Sequence, residues 1–120
     1  MPTLQDHPTL NDFQRYVAEL ERERGFEEQT ATDKCLLLGE EIGELYKAVR
    51  HAEGLKVDPS SRIGEVEHEL ADILIYLCAI ANRYGVDLER AFRRKEVLNH
   101  QRHWVAAEQD ESATAVQDSS

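Results

Sequence analysis

The chain has 120 residues, of which 41% are apolar and 32% are charged, a composition typical of one globular domain with its own core. Its 24 acidic residues outnumber its 14 basic residues, which gives a formal charge of −10. This balance argues against DNA, RNA or an anionic membrane as a partner, because each of these requires basic contacts. It is compatible with a polyanionic substrate if divalent cations lie between the substrate and the protein.

The two cysteines lie in separate apolar runs and do not have the spacing of a zinc site. Cys35 and Cys78 are therefore interpreted as buried free thiols in a reducing compartment. The first residues lack the basic and apolar segments of a secretory signal, and no apolar run reaches the roughly 20 residues that span a bilayer. These features predict a cytoplasmic protein without a membrane partner.

Apolar residues recur at helical intervals throughout the chain, and alternation typical of strands is absent from the sequence. The first helix is predicted over residues 10–24. Thr9 or Asn11 is suited to cap its N-terminus, and Gly25 is suited to end it.

The second helix is predicted to run from an N-cap at Thr32 or Asp33 to Ala52, with Gly54 ending it. Its apolar residues fall on one stripe, which is expected to face the core. The residues of this predicted core face are Cys35, Leu38, Ile42, Leu45 and Val49.

The third helix is predicted to start after Ser60 or Ser61 and to end at Tyr84, and a fourth follows an N-cap at Asp87. The third helix is apolar over much of its circumference, which indicates burial on several sides and a core completed by a second copy of the chain. Its predicted core residues are Ile63, Val66, Leu70, Ile73, Leu74, Leu77, Ile80 and Ala81. We therefore expect an all-α, four-helix bundle-like domain over residues 1–106 and a disordered acidic tail over 107–120.

Two pairs of carboxylates are the most informative feature of the sequence. Glu41 and Glu44 stand three residues apart on the second helix, and Glu69 and Asp72 stand three apart on the third. Residues at this spacing share one side of a helix. Each pair also borders an apolar stripe, where a carboxylate without a positive partner is costly.

A divalent cation would compensate these acids, because no lysine or arginine occurs within residues 35–46 or 63–82. Oxygen ligands without cysteine favour Mg²⁺, with Mn²⁺ as a substitute. A solvated acidic face is the alternative interpretation. Glu65 and His68 also form an ExxH spacing, as in di-iron bundles, but the second ExxH that such sites need is absent from the sequence.

The residues Glu40-Glu41-Ile42-Gly43-Glu44, followed after 24 residues by Glu69-Leu70-Ala71-Asp72, resemble the signature of the MazG-like all-α nucleoside triphosphate pyrophosphohydrolases. The resemblance covers about residues 10–104 and is greatest to the single-domain, dCTP-pyrophosphatase-like branch. It implies an enzyme that hydrolyses a (d)NTP between its α and β phosphates and serves nucleotide-pool house-cleaning. From the apolar third helix, we expect this enzyme to be a homodimer or homotetramer. The resemblance also implies Mg²⁺ ligation by Glu41, Glu44, Glu69 and Asp72, and a role for Glu40 in orienting or deprotonating the attacking water.

Five further residues are candidate substrate contacts by the same resemblance. Lys95 and Asn99 share a face of the fourth helix and match a K-x-x-x-N pair that contacts phosphate and sugar. Tyr76 matches a tyrosine that packs on the nucleoside, one turn after Asp72. Phe26 stands where related proteins have a tryptophan that contacts the base, and His51 stands where an aromatic residue occurs.

Four alternatives remain open at this level. The helices could form a non-catalytic adaptor that dimerises through the third helix. The enzyme could instead hydrolyse a phosphoribosyl nucleotide. The basic residues of the fourth helix could be a solvated face, and Tyr76 an ordinary core aromatic.

Overall fold

The computed structural model describes the backbone of residues 1–109 and the side chains of residues 1–102. Within that range it contains four α-helices and no strand: α1 (Leu10–Arg24), α2 (Ala31–Ala52), α3 (Val66–Arg83) and α4 (Leu88–Gln109). The predicted all-α fold class is therefore confirmed. Residues 107–109 belong to α4, and the remainder of the predicted tail, 110–120, lies outside the described residues.

The chain divides into two compact units, Met1–Val86 and the residues from Asp87 onward. In the first unit α3 is the central helix, because it packs against both α1 and α2, and most extensively against α2. Small side chains allow these helices to approach closely. The buried apolar residues are Val17, Leu20, Ala48, Cys78, Ala79 and Ala81.

The predicted bounds of α1 are confirmed, and its ends show why. The Thr9 hydroxyl accepts from the Asp12 amide at 3.1 Å, while the Thr9 amide donates to the Asp12 carboxylate at 2.8 Å. This reciprocal pair satisfies two amides that a helix N-terminus leaves without partners. At the other end, Gly25 adopts a left-handed conformation with φ of 73°, which glycine tolerates better than other residues.

The start of α2 differs from the prediction of Thr32 or Asp33 as its N-cap. Thr30 is the N-cap: its hydroxyl accepts from the Asp33 amide at 3.1 Å, and its own amide donates to the Asp33 carboxylate at 2.9 Å. Asp33 therefore has the third helical position of the capping box and not the cap itself.

The core face of α2 also differs from the predicted one, because Cys35 and Val49 are exposed. Lys34 and Ala48 are buried in their place, at 4% and 2% exposure. The half-buried residues Leu38, Glu41 and Leu45 lie at helical spacing between them. The observed inward stripe thus keeps Leu38 and Leu45 from the predicted one, is rotated by less than one residue, and contains two charged side chains.

The third helix begins at Val66, later than the predicted start after Ser60 or Ser61. The amide and hydroxyl of Ser60 both donate to the Asp58 carboxylate, at 2.9 and 2.8 Å, and so close a local turn. Glu65, in extended conformation, is the actual N-cap residue. Ile63 consequently lies before the helix.

Part of the predicted core of α3 is not buried within the single chain. Leu70 and Leu77 are 52% and 43% exposed, because they project away from the faces that α3 packs against α1 and α2. Neither side chain contributes to the buried core of the first unit.

In the second unit, the Asp87 side chain accepts from the Arg90 amide at 3.0 Å, which confirms Asp87 as the residue that caps α4. An ion pair between Glu89 and Arg93 follows one turn later. Among the described residues, each helix is too short or too polar to cross a membrane.

Candidate active site

Three carboxylates from two helices converge at the α2–α3 contact. One oxygen of each of Glu41, Glu69 and Asp72 lies within 4.8 Å of the others. Glu69 is only 9% exposed, Glu41 is half-buried and Asp72 is exposed. We call these three residues the acidic cluster. The cluster is therefore buried on the side of Glu69 and open to solvent on the side of Asp72, where a dissolved ligand could reach it.

The acidic cluster is electrostatically strained in the protein alone. Burial, the hydrogen bond shared with Glu69, and the negative charges of Asp72, Glu69 and Glu44 raise the pKa of Glu41 to about 7. Adjacent carboxylates repel one another, so each disfavours ionisation of the next. A cation among them would remove that repulsion.

The donor set of the acidic cluster fits a hard divalent cation. It offers carboxylate oxygens from two packed helices and includes neither sulfur nor imidazole. Mg²⁺ and Mn²⁺ prefer oxygen ligands and retain water or phosphate oxygens at their other positions. The three side chains could therefore hold such an ion and leave room for a substrate.

Glu44, the fourth predicted ligand, lies beside the acidic cluster and is not one of its members. It is half-buried, and one of its oxygens lies 3.4 Å from the Lys47 ammonium. It is close enough for its charge to raise the pKa of Glu41. Lys47 thus provides Glu44 with a positive partner. It is the first basic residue after the segment 35–46, which contains none.

Glu40 and Tyr76 both lie near the acidic cluster. Burial and then the charges of Glu41, Asp72 and Glu40 raise the pKa of the half-buried Tyr76. Glu40 itself is exposed. The structure therefore places Glu40, the candidate general base, and Tyr76, a candidate nucleoside contact, in the same region as the acidic cluster.

Phe26 is brought to the same region through Lys34. The Lys34 ammonium lies 5.0 Å from the centroid of the Phe26 ring and 5.6 Å from that of Tyr76, within the range of a cation–π contact. Phe26 is 39% exposed, so part of its ring is available to a ligand.

Sequence reasoning did not identify the ion-pair group behind these aromatics. Glu21 accepts from the Arg83 guanidinium at 2.8 and 3.0 Å and lies 3.1 Å from the Lys34 ammonium. Burial alone would raise the pKa of Glu21, but the hydrogen bonds and charges of Arg83 and Lys34 hold it below its ordinary value. The sequence offered no signal for this group, because the predicted inward stripe of α2 contained Cys35 and not Lys34.

Other candidate residues are not brought to the acidic cluster within the first unit. His51 is exposed in the last turn of α2. Lys95 and Asn99 belong to α4 in the second unit, where Asn99 donates to Glu96 at 3.1 Å. His68 is exposed and lies outside the acidic cluster, which leaves the ExxH alternative without support from the described residues.

Comparison with known proteins identifies the family of the chain. Residues 29–103 match the MazG nucleotide pyrophosphohydrolase domain. The chain is 39% identical over 103 residues to dCTP pyrophosphatase 1 of Rattus norvegicus, with 82% of this chain and 61% of the relative covered. It is 35% identical over 101 residues to dCTP pyrophosphatase 1 of Homo sapiens, with 80% and 59% covered. The chain thus spans about three-fifths of the length of these relatives.

A crystal structure of iMazG from Vibrio DAT 722 has the same fold. It superposes with a TM-score of 0.58 at 34% identity, over 78% of this chain and 96% of the iMazG chain. A second iMazG structure from the same source gives a TM-score of 0.57 at 35% identity. The domain match, the level of identity and the shared fold lead to one conclusion: the chain belongs to the MazG nucleotide pyrophosphohydrolase family.

Proposed function

We propose that the chain is a Mg²⁺-dependent nucleotide pyrophosphohydrolase that cleaves a (d)NTP between its α and β phosphates. The products are a (d)NMP and pyrophosphate, as expected of an enzyme that removes unwanted nucleotides. The observation that carries the proposal is the convergence of Glu41, Glu69 and Asp72 within 4.8 Å at the contact of two helices. Family membership supports the same reaction class.

In this proposal the acidic cluster binds the cation, and Glu44 completes the ligand set from the adjacent turn of α2. Mg²⁺ held there would neutralise phosphate charge and acidify water. Releasing Glu44 to the ion requires only that its 3.4 Å ion pair with Lys47 open. That pair is partly solvated, so its loss costs little.

Glu40 is proposed to orient the attacking water and to accept its proton. The negative charge of Glu40 contributes to the raised pKa of Tyr76, so Glu40 lies near the proposed nucleoside contact. Glu40 is also exposed, so a water molecule can reach its carboxylate. The water oxygen forms a bond to phosphorus, and the bridging oxygen departs with pyrophosphate. Positioning and charge stabilisation account for catalysis here, and a covalent intermediate on the protein is not needed.

Five side chains are proposed as substrate contacts. Phe26 and Tyr76 would contact the nucleoside, with His51 near the base. Lys95 and Asn99 would contact phosphate and sugar from α4. The relatives named dCTP pyrophosphatase 1 make dCTP the first substrate to test.

A homodimer or homotetramer is proposed because apolar side chains of the first unit are exposed. Leu36 is 67% exposed, Leu70 is 52% exposed and Leu77 is 43% exposed. Clustered exposed apolar residues mark association surfaces. The same residues favour the second candidate function, a non-catalytic dimerising adaptor.

A substrate panel with product analysis tests the proposal. Deoxynucleotides, ribonucleotides and a phosphoribosyl nucleotide would each be incubated with and without Mg²⁺, and pyrophosphate would be resolved from orthophosphate. We expect Mg²⁺-dependent pyrophosphate release that Glu41→Gln abolishes.

The matched control is Glu67→Gln, which removes an exposed acid of α3 outside the acidic cluster and should retain activity. Orthophosphate as the only product would overturn the cleavage position. Turnover of the phosphoribosyl compound alone would change the substrate class. No turnover of any compound, together with no uptake of Mg²⁺, would favour the adaptor.

A further inference from the structure

Lys34 is an unusual residue because its charge is almost completely withdrawn from water. It is 4% exposed, whereas lysine is rarely buried unless it is paired. Its ammonium lies 3.1 Å from Glu21 and within 5.0 and 5.6 Å of the centroids of Phe26 and Tyr76. The Lys34 ammonium of α2 therefore contacts residues of α1, of the α1–α2 connection and of α3.

The Glu21 carboxylate is shared between Lys34 and Arg83, which donates to it at 2.8 and 3.0 Å. Arg83 also donates to the backbone carbonyls of Phe26 and Gln29, at 3.0 and 2.8 Å. The backbone of the α1–α2 connection is thus anchored by Arg83. The Phe26 ring, however, is contacted by Lys34.

Lys34 and Arg83 contact different parts of Phe26. Arg83 binds the Phe26 backbone through its carbonyl, whereas the Lys34 ammonium lies against the rings of Phe26 and Tyr76. A cation attracts the face of an aromatic ring and so favours particular ring orientations. Pairing with Glu21 keeps the ammonium in place.

We propose that Lys34 is a positioning residue of the nucleoside pocket. Its ammonium holds the Phe26 and Tyr76 rings in a fixed mutual orientation from the buried side of the pocket. This inference rests on the proposed function, because it takes those two rings as the surface that the nucleoside meets. Lys34 is buried, so it acts on substrate through the rings and not by direct contact. A preformed aromatic surface reduces the cost of ordering side chains when the nucleotide binds.

Lys34→Met is the variant that tests this role. Methionine has a similar length and flexibility, so it fills the space of the lysine stem. Glu21 keeps both hydrogen bonds from Arg83 and is not left as an unpaired buried charge. Replacing Arg83 would be less informative, because three backbone carbonyls, those of Phe26, Gln29 and Ala79, would lose a donor.

With the preferred nucleotide, Lys34→Met should raise KM by about tenfold and leave kcat within about twofold of the unchanged protein. Lys56→Met removes an exposed lysine from the α2–α3 loop and makes the same change in net charge. This control should leave both constants unchanged. An unchanged KM in Lys34→Met, or a fall in kcat without a rise in KM, would overturn the positioning role.

A second measurement needs no activity. In the nucleotide-free protein, the ring currents of Phe26 and Tyr76 should move the ε-methylene proton resonances of Lys34 upfield, and these signals should be absent in Lys34→Met. Adding a nucleotide should move them again. Resonances at the position of an exposed lysine would overturn the inference, even if pyrophosphate release is observed. Shifted resonances without any nucleotide turnover would instead place the failure in the proposed function.

Discussion

Glu41 lies on the inward stripe of α2 and meets two carboxylates of α3. Burial and these neighbours raise its pKa to about 7, so near neutral pH the acidic cluster holds a proton that an exposed glutamate would have lost. A proton and a divalent cation relieve the same repulsion. The position is therefore unfavourable for an isolated carboxylate and suitable for one that binds a cation.

Replacing Glu41 by Gln should make the metal-free protein more stable than the unchanged chain at about pH 8. The pKa of Glu41 is about 7 in the folded protein, against 4.5 for an ordinary glutamate. The folded state thus holds the extra proton between these values, and the stability due to it is complete below 4.5 and lost as the pH rises through 7. Urea unfolding should show a gain in the variant at about pH 8 that disappears near pH 4.5. Equal stabilities at both pH values would contradict this.

The residue scale also shows what sequence alone could provide. Helical spacing was sufficient to select Glu41, Glu69 and Asp72, and the structure brings their oxygens together. Their role as ligands stays a prediction. The burial of Lys34 could not be inferred, because its partner Glu21 lies on another helix and the pairing depends on tertiary packing.

At the scale of elements, α1, α2 and α3 are joined through one carboxylate. Glu21 of α1 binds Lys34 of α2 and Arg83 of α3. Periodicity predicted the four helices and part of the core face of α2, but it placed Cys35 and Val49 on that face in place of Lys34 and Ala48, and it began α3 too early. Both errors arise from polar interactions that hydrophobic patterns do not encode: the Lys34–Glu21 pair, and the turn between Asp58 and Ser60.

Glu21→Gln should destabilise the protein by about 3 kcal/mol at neutral pH, because the buried Lys34 and the half-buried Arg83 lose their counter-charge. The lowered pKa of Glu21 means that its contribution is present above the ordinary value of 4.5 and is lost as the pH falls through the folded value. The difference from the unchanged protein should therefore shrink in acid. Glu28→Gln is the control, because Glu28 is exposed in the α1–α2 connection, and this variant should change stability little. A similar loss in both variants would argue against the Glu21 assignment.

Thr30→Ala should cost about 1 kcal/mol of stability, because it removes the side-chain acceptor of the α2 capping box. Thr32→Ala is the matched control, since Thr32 is exposed within the first turn of α2 and alanine is the better helix former. Thermal unfolding of the two variants would distinguish the observed cap from the one predicted from sequence. A larger loss in Thr32→Ala would reverse the assignment.

For the molecule as a whole, the acidic cluster at the α2–α3 contact is assembled only in the folded chain, so a cation held there would bind the folded state and not the unfolded one. Binding confined to the folded state stabilises it by mass action. This property separates the enzyme from the adaptor without the need for a substrate.

Mg²⁺ should raise the free energy of unfolding by about 2.7 kcal/mol at a hundredfold excess over its dissociation constant. Thermal shifts recorded over a Mg²⁺ titration at constant ionic strength measure this effect. Glu41→Gln should abolish it, and Glu67→Gln should not. A shift of the same size in both variants would indicate general screening of the acidic surface.

The two thiols are in opposite environments, because Cys35 is exposed on α2 whereas Cys78 is completely buried in α3. Burial also raises the pKa of Cys78, which lowers its reactivity. A maleimide dye added under native conditions should consequently attach once per chain, next to Lys34. The natural sequence thus already contains a site for a fluorescent reporter, from which nucleotide binding or subunit association could be followed without engineering a cysteine.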